Sequence, residues 1–265
     1  TRSLCDWSSD VCSSDLRFPM IRFLITATFV VLFLILSMPL MLAEWIIGKF
    51  NMDVKSRSSL AIVNWAFRCV AFLSGTKLIV KGRENIPDDR AVLYVGNHRS
   101  FFDIVLTYPL VKGPTGYVAK KEMEKVPLLS IWMKDLHCLF LDRDNIKEGM
   151  KTILAAIEKA KSGISICIFP EGTRNKTADT FLPFHEGSFK IAEKSGVPII
   201  PMTIVNSAAV FEDHMPKIRK ATVVIEYGKP IDVSALSREE KKNLGASVKS
   251  VIEETYFRNK EEYIK

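Results

Sequence analysis

Ala91-Val92-Leu93-Tyr94-Val95-Gly96-Asn97-His98-Arg99-Ser100-Phe101-Phe102-Asp103 is the stretch on which the reading of this chain turns. Ala91 to Val95 is a short apolar run of the kind found in buried strands. A polar turn follows, and Phe101 to Leu106 reads as the first turns of a helix. A histidine therefore stands at the mouth of a strand, with a carboxylate five residues on. Imidazole takes up a proton near neutral pH, and an aspartate can hold its other nitrogen in one tautomer. No serine or cysteine partner is evident, so the nucleophile is expected to be a hydroxyl of the substrate. This is triad logic with the serine supplied from outside. Spacing alone is weak evidence: four histidines and 30 acidic residues give about half a His-x4-acid pair by chance. Ser100-x-x-Asp103 also fits a capping box, which would turn Asp103 back to the helix start.

Outward from this stretch the pattern alternates. Apolar runs recur at Leu78–Val80, Tyr117–Ala119, Cys138–Leu141, Ile164–Phe169, Ile199–Val205 and Thr222–Tyr227. Helical signals lie between several of them. Asn145-x-x-Glu148 opens a stretch with Ile146, Met150, Ile153, Leu154 and Ile157 on its apolar positions. Ser237-x-x-Glu240 opens a C-terminal helix with Leu244, Val248 and Val251. Fully apolar strands separated by helices predict an α/β fold, a mostly parallel or mixed sheet covered by helices on both faces. Ligands in such folds bind at the carboxyl ends of the strands, where His98 falls.

The N-terminal part differs in kind. Residues 1–19 are polar, repeat Ser-Ser-Asp, and are set apart as a non-native or disordered leader. Phe23 to Ala43 holds 21 uncharged residues, long enough as a helix (about 30 Å) to cross the hydrocarbon layer. Pro39 is placed to kink it. Leu60 to Leu73 reads as an amphipathic helix with Leu60, Val63, Phe67, Val70 and Ser74 on one face, covering the core or lying in the membrane interface. The division expected is 1–19 leader, 20–76 membrane-associated helical region, and 77–265 catalytic α/β domain. With 48% apolar and 25% charged residues the chain is globular, and its net charge of +7 suits an anionic partner. No basic cluster is interleaved with aromatics, which favours a membrane or phosphate over nucleic acid. Five cysteines without C-x-x-C spacing, Cys138 and Cys167 inside apolar runs, point to reduced thiols and a cytosolic compartment. The histidines lack metal-ligand spacing.

Three further stretches carry chemistry. Ile168-Phe169-Pro170-Glu171-Gly172-Thr173-Arg174 again leaves an apolar strand for a polar loop. Its arginine can fork two hydrogen bonds onto a phosphate, and its glycine permits close approach. Tyr117-Val118-Ala119-Lys120 ends a strand on a lysine. Val197-Pro198-Ile199-Ile200-Pro201 places two prolines in an apolar run, which predicts an edge strand or an irregular wall.

Taken in order, these motifs resemble the lysophosphatidic acid acyltransferases of the PlsC type, over roughly residues 77–227. The resemblance implies that His98 is the base and Asp103 its orienter. It assigns Lys120, Glu171, Gly172, Thr173 and Arg174 to the glycerol phosphate of the acceptor. It implies transfer of an acyl group from acyl-CoA or acyl-acyl carrier protein to the free hydroxyl of lysophosphatidic acid, making phosphatidic acid. No metal or other cofactor is implied, and the active site is expected on the cytoplasmic face of a lipid bilayer. Glycerol-3-phosphate or another lysophospholipid is the alternative acceptor; a non-catalytic membrane-binding protein is the alternative class. Ser130 and His137 stand where the family commonly has glycine, and His137 and His185 are expected to be structural.

Overall fold

The structure, a computed structural model, describes residues 8–177 and 179–264. Its centre is a seven-stranded sheet: β1 (Lys77–Lys81), β2 (Leu93–Gly96), β3 (Thr115–Lys120), β4 (Leu139–Leu141), β5 (Ser165–Ile168), β6 (Ile199–Val205) and β7 (Thr222–Tyr227). The spatial order is β1-β7-β6-β2-β5-β3-β4. Neighbours run parallel except β6 and β7, so the sheet is mixed. Each of the seven apolar runs read from the sequence overlaps one of these strands.

Strand alternation divides the core into two faces of different composition. Tyr94, Tyr117, Cys167, Met202 and Tyr227 point to one side, where Phe102, Tyr108 and Trp132 join them. Leu93, Val95, Ile166, Ile168 and Ile199 point to the other and meet Ile157, Phe189, Ile191, Val248 and Ile252. The aliphatic face is covered by α6 (Ile146–Lys161), α7 (Lys190–Ser195) and α9 (Leu244–Tyr263). The aromatic face is covered by α4 (Phe102–Thr107), α5 (Leu129–Asp135) and the N-terminal helices α1 (Ser8–Leu36), α2 (Met38–Phe50) and α3 (Met52–Ser74).

The N-terminal region departs from expectation in two ways. The apolar stretch is not one helix: it breaks at Ser37, and Pro39 sits in the first turn of α2, where its missing N–H costs no helical bond. The boundary at Pro19 falls inside α1, whose Pro19 carbonyl accepts from the Ile218 N–H at 3.1 Å. A polar start does not stop a helix propagating from an apolar segment. Residues 1–7 lie outside the described part. Among the described residues one stretch, Phe18–Leu36, is long and apolar enough to cross a membrane. α3 buries Ser56, Ser59, Val63, Ala66, Val70 and Ser74 and turns Trp65 and Phe72 outward. α1 is joined to the rest by aromatic contacts: Phe33 stacks on Trp132, and Phe23 stacks on Phe211 with centroids 5.8 Å apart.

Two details of strand and helix burial also differ. β6 lies inside the sheet, not at its edge. Antiparallel pairing with β7 stops at Met202–Tyr227, and beyond it Pro201 needs only its carbonyl, which accepts from Gly228. On α6, Ile146, Met150 and Leu154 are exposed, and the buried face is Ala156, Ile157 and Ala160. Small alanines let the helix approach the sheet closely. The C-terminal helix divides into α8 (Arg238–Lys242), opened by the Ser237–Glu240 capping box, and α9.

Candidate active site

Because β2, β3, β4, β5 and β6 run the same way, their carboxyl ends share one edge of the sheet. The loops carrying His98, Lys120, Glu171 to Arg174 and Glu212 all leave from that edge. Loop 97–101 is fixed to the strands on either side. Asn97, 1% exposed, donates through Nδ2 to Ile204 O and accepts from Ile204 N–H, both at 2.8 Å, closing the gap from β2 to β6. On the β5 side Glu171 Oε1 accepts from the His98 N–H at 2.9 Å, and the His98 carbonyl accepts from the Asn175 N–H at 2.7 Å.

The structure brings His98 and Asp103 together. Nδ1 and Oδ2 are 2.8 Å apart. The same Oδ2 accepts from the Arg99 and Ser100 backbone N–H groups, each at 2.8 Å. Asp103 thus holds the imidazole and turns back to the Ser100 N–H at once; the other half of the capping box is absent, because Ser100 Oγ accepts from the Phe102 N–H instead. With two backbone donors on Oδ2, the carboxylate takes a third from Nδ1–H, which leaves the lone pair on Nε2. The imidazole stacks on Phe169, 4.4 Å between centroids, and its side chain is 16% exposed. Asp103 is fully buried. An imidazole held at Nδ1 with its outer nitrogen open is the arrangement of a general base.

The third motif divides in two. Glu171 is buried, and its oxygens accept from the His98 N–H and, at 3.2 Å, from the Leu182 N–H. Burial raises its carboxyl above the usual carboxylate range, and those two N–H groups oppose the shift. With both oxygens engaged inside the protein, its geometry fits support of the histidine loop, not contact with a phosphate. Gly172 has φ +71°, a left-handed conformation that glycine adopts without strain, and a Cβ there would come within 3.2 Å of the His185 ring. Thr173 is exposed. Arg174 lies over the Phe101 ring, its Cζ 3.8 Å from the centroid, and Nη1 donates to Glu212 Oε1 at 3.2 Å. Lys120 stands at the end of β3, the strand next to β5, exposed, with Nζ 2.8 Å from Glu122. Among the described hydrogen bonds and ion pairs none joins it to the histidine or to Arg174.

His137 takes a structural place: φ is +61°, in the region glycine favours, and Nε2 lies 2.7 Å from Ser56 Oγ on α3. Its carbonyl packs where a Cβ on Gly116 would have to sit, 2.3 Å away. Cys138 and Cys167 are buried free thiols. Among the described residues no cluster of three His, Cys, Asp or Glu is placed to hold a metal ion. Glu212 is a residue that sequence reasoning missed. It stands in the run Phe211-Glu212-Asp213-His214 beyond β6, without motif or periodicity, and reaches the site only through the topology.

Residues 77–205 match the family model described as Acyltransferase. A 1-acyl-sn-glycerol-3-phosphate acyltransferase of Borreliella burgdorferi is 33% identical over 196 residues, 74% of this chain and 78% of the relative. This chain belongs to the 1-acyl-sn-glycerol-3-phosphate acyltransferase family. The relative of that name from Haemophilus influenzae is 31% identical over 80% of this chain and 87% of its own length. Among solved structures, the 1-acyl-sn-glycerophosphate (LPA) acyltransferase PlsC of Thermotoga maritima superposes with a TM-score of 0.81 at 25% identity. That match covers 95% of this chain and 99% of the neighbour. At 95% coverage of this chain the superposition reaches beyond residues 77–205.

Proposed function

We propose that this family member transfers an acyl group from a thioester, acyl-CoA or acyl-acyl carrier protein, to the free sn-2 hydroxyl of lysophosphatidic acid, making phosphatidic acid. The observation that carries the reading is the buried Asp103 holding His98 Nδ1 at the carboxyl end of β2, in a loop tied to the one bearing Arg174. His98 Nε2 takes the hydroxyl proton as the oxygen attacks the thioester carbonyl. The tetrahedral intermediate collapses by breaking the C–S bond, and the proton passes from His98 to the departing thiolate. Phe169 keeps the imidazole plane fixed during both transfers. Glu171 supports the His98 backbone, and Arg174 takes the acceptor phosphate, with Lys120 and Thr173 at its margin. The reaction so written uses no metal or cofactor.

The exposed apolar side chains of α1 to α3, among them Leu36, Trp45, Phe50, Trp65 and Phe72, support seating in a lipid bilayer. The catalytic edge then faces the cytoplasm, where the acyl donors are. The test is thiol release from acyl-CoA with and without lysophosphatidic acid. Release is expected only with the acceptor, and His98→Ala should lower its rate by ~10²–10⁴-fold at unchanged melting temperature. Release without acceptor, or a folded variant of near-normal rate, would overturn the assignment.

A further inference from the structure

Glu212 is 14% exposed at its side chain and lies where three groups converge. Oε1 accepts from the Phe101 backbone N–H at 2.7 Å and from Arg174 Nη1 at 3.2 Å; Oε2 accepts from Ser100 Oγ–H at 2.5 Å. One oxygen therefore joins the loop of the catalytic pair, after β2, to the arginine after the neighbouring β5. Arg174 is pinned at one edge by this oxygen and on one face by the Phe101 ring. A guanidinium carries five N–H donors; a single one is spent here, and the side chain is still 37% exposed. A ligand anion can thus take a free edge of the fork without displacing Glu212.

We infer that Glu212 is a positioning residue for the acceptor: it sets the distance and angle between the Arg174 fork and His98. A phosphate monoester seated on the fork then brings its neighbouring hydroxyl to Nε2. The inference rests on the reading of Arg174 as the phosphate ligand. It runs against simple charge counting, by which an acidic side chain beside the fork should weaken phosphate binding.

The test uses the full chain in detergent micelles, lysophosphatidic acid and a monoacylglycerol as acceptors, and acyl-CoA as donor. Arg174→Ala should lower kcat/KM for lysophosphatidic acid by roughly 10- to 150-fold and spare the monoacylglycerol. Glu212→Gln keeps an acceptor for Phe101 but loses the charged hold on Arg174. It should raise KM for lysophosphatidic acid by roughly 5- to 15-fold, leave the donor KM in place, and add nothing in the Arg174→Ala background. Glu212→Asp, which keeps the charge one methylene short, should fall between. If Arg174→Ala affects both acceptors alike, the phosphate reading fails and takes this one with it. If Arg174→Ala behaves as stated, three results overturn the Glu212 inference alone: an unchanged KM in Glu212→Gln, a lowered KM, or a loss that adds to Arg174→Ala. A fall in melting temperature with equal losses on both acceptors would make Glu212 a structural tie and overturn it as well.

Discussion

Asp103 and Arg174 stand at opposite ends of the site and are held in different ways. Asp103 has no exposed surface, and its Oδ2 receives two backbone N–H groups besides the imidazole. Arg174 is 37% exposed and held by one side-chain carboxylate and an aromatic face. Lys120, beyond it, has a single exposed acidic partner. Backbone groups cannot leave without unfolding the loop, so the end carrying His98 and Asp103 is preorganised. Side-chain ties can be made and broken, so the end carrying Arg174 can adjust. The difference teaches that loss of the buried Asp103 carboxylate should cost rate and stability together, and loss of a group at the Arg174 end affinity alone.

Asp103→Asn should show the largest effect. It removes tautomer control and a charged acceptor of three donors. Turnover should fall by ~10²–10⁴-fold, and stability by about 1.5–3 kcal/mol, measured by steady-state kinetics and urea unfolding. A rate loss with no stability loss would break the contrast. At the other end, Lys120→Ala should raise the KM for lysophosphatidic acid by roughly five-fold at most, an effect that fades with added salt, with no change in melting temperature. A loss beyond tenfold would place Lys120 directly on the phosphate. The smallest effect lies outside both ends. Burial pushes His137 down to about 4, so the folded chain resists a proton that the unfolded chain accepts near its ordinary value of 6.5. Stability conferred by the neutral ring is therefore lost as pH falls from 6.5 to 4. His137→Gln should lessen that loss, by roughly 1–2 kcal/mol after solvent screening, with kinetics at neutral pH unchanged. Parallel pH profiles of unfolding in parent and variant would show that the ring is not desolvated as described.

Local pattern carried the sheet: seven apolar runs were legible because both faces of each strand are covered. It carried His98 and Asp103 for the same reason, a polar turn between two buried elements. It misplaced features that depend on what lies alongside. Ile146, Met150 and Leu154 have helical spacing, yet the sheet selects Ala156 and Ala160, which allow closer packing. Pro201 looks like an edge residue, but a central strand tolerates it where pairing with β7 has ended. Glu171 shares a motif with Arg174, yet its buried carboxylate turns inward to backbone N–H groups. Glu212 was invisible because nothing local marks it; a parallel β6 delivers it to the edge where β2 and β5 also end.

The stack of Phe23 on Phe211, with the Pro19 carbonyl accepting from Ile218, spans the loop in which Glu212 sits. The apolar helix and the arginine tie are thereby consecutive links of one strut. With α1 seated in a bilayer as proposed, it acts as a ruler that sets the height of Arg174 relative to the lipid acyl chains. On that proposal, an acceptor whose headgroup rides at that height meets Arg174 without being lifted out of its leaflet, and bilayer depth becomes a coordinate of substrate choice.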